Sequence, residues 1–241
     1  MYIVGRNPVL EALKSEQKPT KIFIQFGSHG SAINQIRYMA RIEGIPVVEL
    51  SRQKFSRLAP GESTQGVAAL VEDVRILHLD ELMSAITHNE PAFLLACDGI
   101  TDPHNLGALI RTAESAGVHG IVIPARNSAS ITETVIKTSA GAVHHVALAR
   151  VGNLAQSLNK LKDAGIWIVG TDSDGDTDLF RFDGNRDICL VVGSEGKGMR
   201  PVIRKACDVV LRIPQFGKIN SLNASVAGAL AMYEIRRSRI G

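Results

Sequence analysis

The chain has 241 residues with 45% hydrophobic and 21% charged content, enough for one large cored domain or a small one joined to a medium one. No apolar run reaches the roughly 18 residues of a membrane span, and Met1-Tyr2-Ile3-Val4-Gly5-Arg6 lacks a signal peptide's basic start and apolar stretch, so no membrane partner is expected. Net charge is +3, spread unevenly: residues 1–71 carry nine Lys/Arg against five acids, 72–90 one against five, and 91–241 seventeen against fourteen.

In chain order, the spacing predicts a helix over Pro8–Lys14, a strand at Lys21–Phe26, a helix over Ser31–Glu43, a strand at Pro46–Leu50, a short helix at Arg52–Leu58, a turn at Gly61-Glu62-Ser63 and a strand at Gln65–Val71. The acidic stretch 72–90 reads as a linker carrying a short helix at Asp80–Thr87. From residue 91 strands alternate with helices: Phe93–Asp98, Gly120–Pro124, His144–Ala149, Ile166–Gly170, Ile188–Gly193 and Val209–Ile213, with helices over Asn105–Ala116, Thr132–Thr138, Asn153–Asp163, Met199–Ala206 and Asn223–Arg237. Apolar strands alternating with helices imply an α/β fold, a parallel sheet covered on both faces with ligands at the carboxyl ends of its strands. The expected domains are therefore 1–71 and 91–241.

A basic first segment is compatible with an RNA partner without requiring one. Cys97, Cys189 and Cys207 form an odd set without a CxxC pair, which favours buried thiols in a reducing cytoplasm over disulfides or zinc. No metal is expected, since no His/Cys/carboxylate cluster has ligand spacing. The adjacent His144-His145 falls in a predicted strand, where neighbours face opposite ways.

Three loops follow predicted strands. Asp98-Gly99-Ile100-Thr101-Asp102-Pro103-His104-Asn105 runs into a helix in which Leu106, Leu109, Ile110 and Ala113 face the core and Arg111 lies two turns in; Asp102-Pro103 is a good N-cap and first-turn pair. Gly193-Ser194-Glu195-Gly196-Lys197-Gly198 lets backbone approach a ligand, but is neither a P-loop nor GxGxxG, and Glu195 would repel a phosphate. Ile213-Pro214 leads through a polar loop to Ser221-Leu222-Asn223 and a helix of small residues. Taken singly, each loop can be explained by capping and close packing.

Together, Asn105 through Arg111, Gly193-Ser194-Glu195-Gly196-x-Gly198, and Ile213-Pro214 with Ser221-Leu222-Asn223 resemble the three signature motifs of the SpoU (TrmH) family of RNA 2′-O-methyltransferases, in order and over roughly residues 92–238. Gly5-Arg6-Asn7-Pro8-Val9-Leu10-Glu11-Ala12-Leu13 and Thr64-Gln65-Gly66-Val67 resemble the ribosomal-protein-like RNA-binding domain of the subgroup that methylates large-subunit (23S) rRNA, with Thr64 where relatives often carry His.

The resemblance implies a SPOUT-type trefoil-knotted domain, a homodimer, and S-adenosyl-L-methionine as methyl donor. It assigns the donor to Gly170, Thr171, Gly193, Gly196, Ile213, Pro214 and Leu222, and the chemistry to Arg111 with Asn105, Glu195, Ser221 and Asn223. An arginine stays protonated, so a phosphate oxygen or Glu195 is left to take the hydroxyl proton. A tRNA methyltransferase of the same family is the alternative, as is a non-catalytic ribosome-assembly factor. A nucleotide-dependent oxidoreductase is disfavoured because Asp98–Asn105 holds a single glycine.

Overall fold

A computed structural model describes all residues except 1, 15–17, 59–63, 72–73, 87–89, 197, 219–220 and 241. The chain divides into two compact units, Met1–Val74 and Arg75–Gly241.

The first unit contains β1 (Tyr2–Val4), α1 (Arg6–Lys14), β2 (Lys21–Gln25), α2 (Ser31–Ile42), β3 (Val47–Leu50), α3 (Arg52–Phe55) and β4 (Val67–Leu70). Its sheet order is β1-β4-β2-β3. β2 shows why the order holds: Ile22 and Ile24 point inward at period two, onto Val9 and Leu13 of α1 and Ile33 and Ile36 of α2. β1 escapes the sequence reading because three residues are too few to show a period. The expected turn at 61–63 lies outside the described residues.

The second unit contains β5 (Ile76–Leu77), α4 (Leu79–Ala85), β6 (Phe93–Asp98), α5 (Pro103–Ser115), β7 (Gly120–Pro124), α6 (Glu133–Thr138), β8 (Ala147–Val151), α7 (Leu154–Asp163), β9 (Trp167–Thr171), β10 (Thr177–Asp178), β11 (Ile188–Gly193), α8 (Pro201–Ala206), β12 (Val209–Arg212) and α9 (Ala224–Ile240). Every strand pairing is parallel, in the order β10-β12-β9-β11-β6-β7-β8-β5. β6 and β11 are buried along their whole length, as expected for strands covered on both faces. Leu82 of α4, Leu154, Leu158 and Leu161 of α7 and Ile203 of α8 share one core with Leu94, Ala96, Val122 and Val191 of the sheet. On the other face α9 packs on α5 and β11.

The acidic stretch contributes structure to this unit: β5 pairs with β8 and Leu82 is fully buried. A capping box starts α4, the backbone N–H of His78 donating to Glu81 Oε2 at 2.7 Å. His144 ends a short 3₁₀ helix, Ala142–His144, rather than lying in a strand, and β8 begins three residues later. Gly141 in the left-handed region and the bonds from His144 and His145 N–H back to Gly141 and Ala142 carbonyls hold that tighter turn. Cys97 and Cys189 are buried, and burial pushes the Cys97 thiol up to about 12 and Cys189 higher still. Cys207 is only partly buried, beside Met199, and burial raises it to about 11.

α9 is fastened at its far end by arginines. Arg236 donates to the Ala116 and Gly117 carbonyls that end α5, each at 2.8 Å, and to Glu90 at 2.8 Å. That guanidinium, with His119 behind it, holds the Glu90 carboxyl below the usual carboxylate range. Arg239 lies over the Phe93 ring and donates to the carbonyls of Pro91, Ala92, Gly184 and Arg186.

Candidate active site

Register brings four strand ends to one level: Gly193 pairs with Asp98, Val192 with Thr171, and Leu211 with Thr171. The chain runs from β6 outward to β8, then reappears on the other side of β11 as β9. The strand order therefore reverses at the β6–β11 boundary, where an open parallel sheet leaves a crevice.

Asp98 ends β6 with its side chain fully buried, accepting from Arg200 N at 2.8 Å and Arg200 Nε at 2.7 Å. This pair ties the first loop to the far side of the glycine loop after β11, a role that sequence spacing did not reveal. Asp102 caps α5 by accepting from His104 N at 2.9 Å. Leu106, Leu109 and Ile110 are fully buried. Each such burial contributes roughly 1.5–3 kcal/mol, which holds α5 and therefore Asn105 in place.

The glycine loop is closed by two backbone bonds between Ser194 and Gly198, at 3.0 and 2.9 Å. A Cβ at Gly193 would run into the backbone of Gly198 and Met199, so only glycine allows the closure. Glu195 at its tip meets both neighbouring loops. Asn223 Nδ2 donates to Glu195 Oε2 at 3.1 Å and to Asn105 Oδ1 at 2.9 Å, while Asn105 Nδ2 donates to the same Oε2 at 3.4 Å. The other half of the Asn223 amide caps α9: its Oδ1 accepts from Ser225 N at 2.9 Å and Val226 N at 3.3 Å. Capping and site-building are thus done by one side chain. Among the described residues, Glu195 Oε1 has no hydrogen bond.

Beside this triad lies a cavity of about 480 Å³ lined by Thr171, Gly193, Gly196, Ile213, Ser221 and Leu222, among others. Gly170 and Pro214 are not on its wall. Gly170 instead packs against Met199 and Cys207, which would collide with any added Cβ. Asp172, Ser173, Asp174 and Arg204 also line the cavity. Sequence reasoning missed them, although Asp172-Ser173-Asp174 directly follows β9, where a ligand loop is expected. Arg204 pairs with Asp174 at 2.8 Å and Asp172 at 3.4 Å, which anchors this rim.

Arg111 is not gathered into the triad. Six residues beyond Asn105 is about 9 Å along the helix and roughly a third of a turn off its face. Arg111 is exposed and has no hydrogen bond or ion pair among the described residues. No group of three or more His, Cys, Asp or Glu able to hold a metal occurs among the described residues, and none of their helices is long and apolar enough to cross a membrane.

The SpoU rRNA methylase family matches residues 92–233, the span that contains all three loops. The chain belongs to this family. The family description "RNA 2'-O ribose methyltransferase substrate binding" matches residues 2–77, so this SpoU protein carries both parts. A Bacillus subtilis (strain 168) protein assigned to the TrmH family of tRNA/rRNA methyltransferases is 43% identical over 99% of this chain and 96% of its own. Among solved structures, the SpoU methyltransferase AviRb from Streptomyces viridochromogenes, in complex with AdoMet, aligns with a TM-score of 0.74 at 24% identity, covering 100% of this chain and 91% of that one. AdoMet-bound rRNA methyltransferase from Sinorhizobium meliloti aligns at 0.68 and 24%, covering 98% and 86%. These two show the SpoU fold. The present chain is an RNA methyltransferase of the TrmH/SpoU type.

Proposed function

We propose that the protein transfers the methyl group of S-adenosyl-L-methionine to the ribose 2′-hydroxyl of a guanosine in 23S rRNA, as a cytoplasmic homodimer. The observation that carries this reading is the Asn105–Glu195–Asn223 triad on the lip of the 480 Å³ cavity. The cavity suits the donor: glycine backbone at 193 and 196 offers close polar approach, Ile213 and Leu222 offer apolar faces to a base, and Asp172 and Asp174 offer acceptors to hydroxyl or ammonium groups. When bound, the donor supplies a methyl on a positively charged sulfur, so the leaving group needs little help.

The chain's residues must then align the hydroxyl and relieve it of its proton. The two asparagines immobilise Glu195 through Oε2, which leaves Oε1 to accept the 2′-hydroxyl proton. Ser221, on the cavity wall, is suited to hold the ribose. Arg111, always charged, binds the adjoining phosphate and stabilises the developing alkoxide. The basic first segment suits an RNA partner of either kind, and the choice of 23S rRNA over tRNA rests on the resemblance of residues 1–71 to the ribosomal-protein-like domain. Mapping 2′-O-methyl positions in 23S rRNA from cells with and without the protein should reveal one guanosine that loses its mark; loss in tRNA instead would reassign the substrate.

A trefoil knot within 91–241 is supported by the order β12-β9-β11-β6, which sends the chain from β12 back past β9 and β11 to seat α9 on α5. Two of the small residues of α9 face inward: Gly228 and Ala231 are buried, and a Cβ at 228 would collide with Leu109. α9 leaves Val226, Leu230 and Tyr233 exposed at the i, i+4, i+7 spacing of one helix face, with Arg237 and Ile240 exposed further along. Pairing two copies through this face places each residue across a twofold axis from itself. Leu230→Glu should therefore convert a dimer to a chain of 25.9 kDa by light scattering, without loss of helicity. A wild type already monomeric at micromolar concentration and active would contradict the dimer.

A further inference from the structure

The first unit has an open cavity of about 670 Å³ that the methyl-transfer reading does not use, lined by Arg6, Asn7, Gln25, Ser28, Ala32 and Gln65 together with Gly66. We propose that it is the pocket that captures an unpaired nucleobase of the RNA, with Arg6 on the adjacent phosphate. The proposal rests on the RNA reading above and names where the recognition occurs.

Backbone geometry marks the spot. Gln65 is not glycine, yet it sits at φ +51°, a conformation that persists only where its surroundings impose it. There its side-chain Oε1 accepts from Arg6 N at 3.1 Å and its carbonyl accepts from Arg6 Nε at 3.2 Å. Arg6 is thus held at the root of its guanidinium, and its terminal nitrogens have no hydrogen bond among the described residues. A guanidinium presented in this way matches a phosphate.

The remaining polar groups point to a base. Among the described residues, none hydrogen-bonds the side chains of Asn7, Gln25 or Ser28, although all three line one concavity. Two amides and a hydroxyl present donors and acceptors together, as a base edge requires, and among the described residues no carboxylate lines the wall. Phe26, one residue beyond Gln25, is 74% exposed and available for stacking. Base edges in an A-form duplex are out of reach of such a pocket, so the occupant is an unpaired base in a loop or bulge.

The test uses the full chain, without donor, and fluorescence anisotropy of a labelled RNA hairpin with an unpaired loop and of a fully paired duplex. Asn7→Ala with Gln25→Ala should weaken hairpin binding about tenfold or more, leave duplex binding unchanged and leave the salt slope intact. Arg6→Ala should weaken binding and flatten the slope, since it removes a phosphate contact. Thermal melting of each variant confirms folding, and Gln65→Gly, which relieves the left-handed strain and removes the Oε1 acceptor while keeping the carbonyl that holds Arg6 Nε, gives a second fold-safe variant that should lose only the side-chain part of the affinity. The proposal is overturned if the double variant binds the hairpin within twofold of wild type, or if hairpin and duplex lose affinity by the same factor. Because binding is read without donor, a wild type that captures the loop but transfers no methyl would sink the methyl-transfer reading alone.

Discussion

Arg111→Ala is expected to lower turnover by about 10³-fold or more while leaving donor affinity within a few-fold. Arg111 lies off the cavity wall and off the triad, exposed and without a partner among the described residues. A side chain of this kind holds nothing in the protein together, so its removal should not disturb the donor site or the melting temperature. Its charge is available to RNA. If it meets the phosphate beside the reacting ribose and the developing alkoxide, the loss falls on the chemical step. Lysine should rescue only partly, because a point charge does not reproduce the fork of a guanidinium. Single-turnover rates at saturating RNA, beside calorimetric donor titration, separate the two effects. Near-normal turnover in the alanine variant would remove Arg111 from the mechanism.

Asn223→Asp should be the second large effect, and it separates structure from chemistry within one residue. The carboxylate keeps an acceptor for the N–H groups of Ser225 and Val226, so the α9 cap survives and stability should change by no more than about 1 kcal/mol. The donating Nδ2, however, becomes an oxygen facing Glu195 Oε2 at a place now spanned by a 3.1 Å hydrogen bond. Two carboxylates there repel, and the triad opens. Turnover should fall by roughly 10²-fold or more, with thermal melting close to wild type. A variant equally active would mean that Asn223 serves the helix alone.

The alternation of apolar strands and helices from residue 91 was legible in the sequence because β6 and β11, buried on both faces, are apolar along nearly their whole length, β6 up to Asp98 at its end. The Asp102 cap was legible because Asp-Pro has few other uses at a strand–helix junction. The two-residue strands β5 and β10 were not, since two residues carry no period and their pairing is decided by distant partners, β8 and β12. His144 was misplaced for a related reason: an apolar neighbourhood suggests a strand, but Gly141 and the local bonds behind it favour a 3₁₀ turn.

In the site, Asn105, Glu195 and Asn223 were found through the family motifs, while their mutual hydrogen bonds follow only from strand register. The buried Asp98–Arg200 pair links positions 102 residues apart, and no local pattern announces it. The close packing suggested by the small residues of α9 is seen at Gly228, where a Cβ would meet Leu109. That close approach seats α9 on α5 and β11 and leaves Val226, Leu230 and Tyr233 exposed, which the sequence pattern did not single out.

The most direct test of the central claim is a reconstituted transfer. Purified protein, S-adenosyl-L-methionine labelled on its methyl group and 23S rRNA transcripts should yield labelled RNA. The account predicts that the label sits on a ribose and makes the adjoining phosphodiester resistant to alkali, with Glu195→Gln slowing transfer at unchanged donor affinity. Label found on a base, leaving every phosphodiester alkali-labile, or a Glu195→Gln protein as fast as wild type, would contradict it.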